Sequence, residues 1–445
     1  MAILNVADIN ARRLSAKVIG IATVFTILLV LYTFSSPSAL SFFSSPRYSQ
    51  PTCSPKAYSN GSWAFRLRTE ATALSNKDDV LAFAGFEGCA SSREYYWHLA
   101  ADNEEQYDRF PGATSYEWIP GQECAGLRVL DPANVVRDLV EEGGWLLVGD
   151  SVTENHFFSL SCLLYPHVIA TPNYTANPYF DRAWPQHLYL NPASPLVPRL
   201  SLPYGFNITS TPLVTFRRID LLLSQEEIIT VHAKMNPSNS SLFSDEAVWT
   251  LPVTEYLDVF TAPLPTANYA TMVVSTAGHW TATLFSGLRD ESEKDEGYGI
   301  RGVIALFNEA MTHWANEVQE RLWKEARGLG VAKGDRTKGN RQVVVRAYLP
   351  GHEDCHSYRE PWKEVQPFVW NWYNWGNIWE YNQVFERLLS ARGKFPNIHY
   401  LDIYRPARLR PDAHTTGDCL HIMTGAGVLE GWTHYIWHYI TKELK

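Results

Sequence analysis

From Cys53 onward the sequence has no internal repeat and no low-complexity run, and it holds no C-x-x-C pair anywhere. A long basic stretch is also missing. With a formal net charge of −9, there is no run of Lys and Arg to meet phosphates, so no nucleic-acid partner is expected. The most basic segment, Lys324 to Arg341, lacks interleaved aromatics and is expected to be a solvent-exposed loop. Without a C-x-x-C spacing no zinc module is expected. Glu353, Asp354, Cys355 and His356 carry metal-capable side chains, but no second ligand set stands at metal spacing. No metal and no tightly bound cofactor are therefore predicted.

What is present points to the secretory pathway. Val18 to Phe34 is a run of 17 residues without a charge. Arg12, Arg13 and Lys17 precede it, and no basic residue follows until Arg47. The positive-inside rule reads this as a membrane-spanning signal-anchor over 18–34, with residues 1–17 cytoplasmic. Residues 35–52 are rich in Ser and Pro and read as a stem, leaving 53–445 as one lumenal domain. The competing reading is a cleaved signal peptide ending near Pro37-Ser38-Ala39, which would give a secreted protein. The length of the apolar run favours the anchor. Six cysteines, an even number, fit disulfides in an oxidising compartment, with connectivity left open. Sequons at Asn60, Asn173, Asn207 and Asn239 agree.

Short apolar runs alternate with helical patterns. Trp145 to Val148, Thr271 to Ser275, Gln342 to Tyr348 and Ile398 to Asp402 read as strands. Thr153 to Leu164, Gly302 to Ala326 and Gly427 to Leu444 read as helices. Strands joined by long crossovers predict an α/β fold, a mostly parallel sheet flanked by helices.

Ser151, in Gly149-Asp150-Ser151, stands where the first of these strands gives way to its helix. A hydroxyl there projects from the C-terminal edge of the sheet, and the open N–H groups of the helix point to the same place. Locally, a helix cap explains Asp and Ser better than a nucleophile does. Near the other end lies Gly417-Asp418-Cys419-Leu420-His421. Asp418 and His421, three residues apart, share one face of a turn, so the carboxylate can orient the imidazole that takes a serine proton.

The two motifs together, with Asn155, resemble the PC-esterase family of trichome-birefringence-like proteins, a branch of the GDSL/SGNH group. Ser275-Thr276-Ala277-Gly278-His279-Trp280 is similar to that family's N-T-G-H-W-W segment. Arg346-Ala-Tyr-Leu-Pro-Gly-His352, followed by Cys355, is similar to its R-x-x-S-P-x-H…C segment. Gly431-Trp432 resembles its D-x-W ending. The likeness spans roughly Cys53 to Lys445. It implies an SGNH-hydrolase-like fold in a single-pass type II Golgi membrane protein. It also implies an O-acyltransferase, in particular an O-acetyltransferase, acting on polysaccharide or glycan hydroxyls, with an acyl donor as co-substrate. A carbohydrate acetyl esterase with the same triad is the alternative, and a non-catalytic wall-polymer binder a second. Carried over by position, Ser151 is the nucleophile, His421 the base and Asp418 its orienting acid. Ser151 N–H, Asn155 and Gly278 are the candidates for the oxyanion hole, and His279 for substrate binding. Asn155 has a second reading, as a tie between loops.

The sequence departs from the plant pattern beside the nucleophile. Glu154 stands where that pattern has Arg, and His156 where it has Gln. Ile422-Met423-Thr424-Gly425 replaces its W-C-L-P. This marks a divergent branch, with a fungal one as the suggestion. Cys419 reads as a disulfide partner. Trp362, Trp370, Trp372, Trp375 and Trp379, with Tyr373 and Tyr381, offer a sugar-stacking platform, although packing on the core explains such a cluster better.

Overall fold

The computed structural model describes residues 23–26, 52–171, 185–236, 241–328, 341–367, 372–391 and 393–444. One compact unit runs Thr52–Lys445. Its nine strands are β1 (Ser62–Phe65), β2 (Tyr116–Ile119), β3 (Gly144–Gly149), β4 (Val168–Thr171), β5 (Gln186–Leu190), β6 (Pro212–Arg218), β7 (Tyr269–Ser275), β8 (Gln342–Arg346) and β9 (Ile398–Leu401). The longer helices are α1 (Pro132–Glu141), α2 (Ser151–Leu163), α3 (Gln225–Met235), α4 (Val253–Thr261), α5 (Ile300–Gly328), α6 (Ile378–Leu389) and α7 (Val428–His438).

The fold is α/β. Seven strands form one sheet in the order β4-β5-β6-β3-β7-β8-β9. From β6 to β9 every neighbour pair is parallel. At the other edge β5 runs antiparallel to both β4 and β6. The strand at the centre is legible because it is apolar throughout. All six residues of β3 are buried, as a strand covered on both faces requires. Leu146, Leu147 and Val148 are fully buried, and each contributes about 1.5–3 kcal/mol of hydrophobic stabilisation.

Helices line the sheet. α1 and α2 contact β3 and β6, α4 contacts β7, and α6 contacts β9. α2 also packs on α7, and Ser159 joins the two by donating to Glu430 at 2.6 Å. The same Glu430 accepts from the Gly427 N–H and caps the start of α7.

The β1–β2 pair escaped the sequence reading, as did two regions of the main sheet, the latter for physical reasons. β6 opens on Pro212 and closes on Arg217-Arg218, which read as strand breakers, yet Arg218 is buried. The β4–β5 edge is short, and β5 alternates buried and half-buried residues instead of forming an apolar run.

Two expectations are corrected. No helix among the described residues is long and apolar enough to cross a membrane. Within 18–34 only residues 23–26 are described, a single helical turn with Val24 and Phe25 exposed. The remainder of that run, the tail 1–17 and the stem to residue 51 lie outside the described residues. Lys324 to Arg341 is also not a loop throughout. Its first part completes α5, and Arg341 is buried against Glu325; residues 329–340 lie outside the described set.

The six cysteines form three disulfides, Cys53–Cys124, Cys89–Cys162 and Cys355–Cys419. Asn60 and Asn207 are exposed, while Asn173 and Asn239 fall outside the described residues.

Candidate active site

The turn from β3 into α2 is built on Gly149. A Cβ there would lie 2.3 Å from the Thr153 hydroxyl and 2.5 Å from the Ser275 carbonyl, so only glycine lets the helix start this close to β7. Asp150 is the cap: its side chain accepts from the Val152 N–H at 3.0 Å. Ser151 is thus the first residue of α2, half-buried, at the C-terminal edge of the sheet.

His421 arrives from the far end of the chain. The segment before α7 folds back on itself: Thr415 N–H donates to the His421 carbonyl at 2.9 Å, and His414 bridges to Ile422. Asp418 organises the turn between them. One carboxylate oxygen accepts from the N–H groups of Leu420 and His421, each at 2.8 Å. The other accepts from His421 Nδ1 at 2.7 Å. That bond leaves His421 Nε2 unprotonated to accept from the Ser151 hydroxyl, 2.7 Å away. Burial pushes the Asp418 carboxyl up. The charge of His421 and the three hydrogen bonds outweigh it and hold the group well below the usual carboxylate range.

The structure therefore brings Ser151, His421 and Asp418 into one continuous hydrogen-bonded chain. The other sequence-derived candidates fall around it in different ways. Asn155 is fully buried, and its amide is engaged on both sides. Nδ2 donates to His98 Nδ1 at 3.0 Å, and Oδ1 accepts from the Ile422 N–H at 2.9 Å. It ties α2 to the residue after His421, which is the loop-holding reading. Gly278 follows β7, whose Ser275 is the register partner of Gly149. A Cβ on Gly278 would sit 2.3 Å from the Tyr348 hydroxyl, so this backbone also needs glycine. The N–H groups of Ser151 and Gly278 make no hydrogen bond among the described residues. His279 is partly exposed, with Nε2 3.9 Å from Asp220.

Several residues around Ser151 have partners that the sequence did not give. Glu154, acidic where the related pattern is basic, forms an ion pair with Arg93 at 2.9 Å, and both are almost wholly buried. Gln186 donates to the same carboxylate. Burial pushes Glu154 up, and Arg93 and Arg218 pull it back. The positive charge has not vanished from this place; it comes from other strands and loops. Arg218, the register partner of Gly149, pairs with buried Asp220 at 3.0 Å. His156 is a buried packing residue bonded to Thr433, and burial lowers its pKa well below the ordinary range.

His352 is buried, its Nδ1 2.7 Å from His414 Nε2, and His414 in turn stands 3.1 Å from the His421 carbonyl. It is linked to His421 at two removes. Cys355, His356 and Cys419 converge within 4.8 Å. Both sulfurs are engaged in one disulfide and His356 Nε2 faces the Thr415 carbonyl, so the trio offers no thiolate. Of the tryptophan cluster, Trp375 and Tyr381 are buried in the core and Trp379 is exposed. Trp370 lies outside the described residues, as does the Trp372 side chain.

A scan against protein-family models finds no match for the chain, and a search of curated proteins finds none either.

Proposed function

We propose that this protein is a serine acyl-transfer enzyme, an O-acyltransferase that moves acetyl groups onto glycan or polysaccharide hydroxyls in the secretory pathway. The observation that carries this reading is the chain Asp418–His421–Ser151, with both links at 2.7 Å. Each element has the position its role needs. His421 takes the Ser151 proton as Oγ attacks the acyl carbonyl carbon. The N–H groups of Ser151 and Gly278 stabilise the oxygen that becomes negative. His421 then gives the proton to the departing donor group, leaving an ester on Ser151. An acceptor hydroxyl loses its proton to His421, attacks that ester, and Oγ recovers its proton as the product leaves. Asp418 stabilises the imidazolium at both stages.

The glycan acceptor and the Golgi lumen rest on the resemblance to the PC-esterase family. The three disulfides and the exposed sequons at Asn60 and Asn207 support an oxidising, secretory compartment. Water in place of the acceptor hydroxyl would make the same triad an esterase. The test is to incubate the full chain with p-nitrophenyl acetate, with and without oligosaccharide acceptors, beside Ser151→Ala. Acetylated sugar is the expected product. Acetate release alone would assign hydrolysis, and unchanged turnover in Ser151→Ala would overturn the role of Ser151.

A further inference from the structure

The aromatic that stands closest to the chemistry is Trp97, in the run Tyr95-Tyr96-Trp97-His98. Its ring lies 5.1 Å from the His421 ring at 61°, edge to face. The neighbours that follow it, His98, Leu99 and Ala100, are fully buried, whereas Trp97 is only half-buried. The indole N–H makes no hydrogen bond among the described residues. A large, half-buried aromatic side chain beside a reactive base is a recognition element.

The surroundings are arranged to keep it there. His98 takes the Asn155 amide, and its carbonyl accepts from the Thr424 N–H at 2.8 Å, so the segment is fastened to both α2 and the His421 loop. Cys89–Cys162 ties the preceding loop to α2 as well. On the loop side, Gly417 makes room: a Cβ there would lie 2.9 Å from the indole nitrogen. The room is therefore made by the residue that precedes the catalytic Asp418.

We infer that Trp97 is the platform on which a pyranose ring of the substrate lies while its hydroxyl reacts at Ser151. This rests on the acyl-transfer reading above and names what that site recognises. A sugar presents an apolar C–H face and a rim of hydroxyls. One aromatic face set in a polar rim matches that pattern. The rim here is polar: Thr416 is bonded to the exposed Asp102, and the partly exposed Asp418 follows Gly417.

Packing on His421 to orient the base is the competing role, and the two roles separate kinetically. Trp97→Ala and the milder Trp97→Phe are compared with wild type on p-nitrophenyl acetate alone and on acetyl transfer to cellotetraose, xylotetraose and mannotetraose. Binding of the same tetrasaccharides is measured by calorimetry in Ser151→Ala with and without Trp97→Ala. The expected result is a rise in acceptor KM of about tenfold in Trp97→Ala that exceeds any loss of its turnover on p-nitrophenyl acetate. Trp97→Phe, which keeps a ring and loses the N–H, falls between. In Ser151→Ala the second substitution weakens tetrasaccharide binding by a similar factor. Equal losses on both substrates would assign Trp97 to positioning His421 and overturn the platform. No change in either KM or binding, or no binding of any tetrasaccharide, would overturn it too. Failure of the acyl-transfer reading shows separately, as turnover that survives Ser151→Ala.

Discussion

Asp418 holds three N–H groups with two oxygens, and this fixes both the fold of its own turn and the tautomer of the imidazole beside it. An amide in its place could still accept two backbone bonds. It would turn its NH2 or its carbonyl toward His421 without a negative charge to stabilise imidazolium. Asp418→Asn is therefore expected to lower kcat on p-nitrophenyl acetate by about 10³–10⁴ while KM moves little. Steady-state kinetics on a variant with a native melting curve would check this, and a loss under tenfold would remove Asp418 from the triad. That D-x-x-H spacing was legible in the sequence because its geometry is local, within one turn of chain. Trp97 was not, because nothing in Tyr95 to His98 distinguishes a residue that meets His421 from one that meets the core.

At the level of elements, the β3–α2 turn was legible for the same reason: an apolar strand, a glycine, a capping Asp and a helix follow one another directly. What surrounds it was not. Glu154 looked like a lost contact beside the nucleophile, and its partner Arg93 arrives from a loop tied to α2 by Cys89–Cys162. Pairing between residues 61 apart leaves no periodic trace. The pair is buried on both sides, so removing one member strands the other charge. Arg93→Met alone is expected to cost about 3–5 kcal/mol of unfolding free energy, and Arg93→Met with Glu154→Gln distinctly less. Urea denaturation of both variants measures the difference. If the double variant is no more stable than Arg93→Met, the pair is not acting as a unit. The sheet itself shows the same division. The parallel centre from β3 to β9 could be read from apolar runs, whereas β6 ends in two arginines, and the second, Arg218, is buried in a pair with Asp220.

Across the whole molecule, buried titratable groups set how stability follows pH, and they pull in two directions. Burial lowers the pKa of His98, His156, His187, His352 and His414. A histidine held below its unfolded value contributes stability that is present above about pH 6.5 and lost as pH falls. Asp402 does the opposite. It follows β9, and burial, with the Glu386 charge nearby, raises its carboxyl from 3.8 to about 6. A raised carboxyl leaves the folded state most favoured below the unfolded pKa, and that advantage is lost as pH rises through about 6. At neutral pH the fold therefore carries an ionised carboxylate in a place that disfavours it. Asp402→Asn removes the charge and keeps the shape. The variant is expected to be more stable than wild type by about 2 kcal/mol at pH 7, a shift of about two pKa units discounted for partial exposure. The gain should shrink as pH falls below about 6 and vanish below the unfolded value of 3.8, where the carboxyl is neutral in both states. Because the histidine terms are common to both proteins, they cancel in the comparison, so urea midpoints of the pair at pH 7 and pH 4.5 isolate Asp402. A difference that is constant with pH would mean that the substitution acts through packing and not through charge.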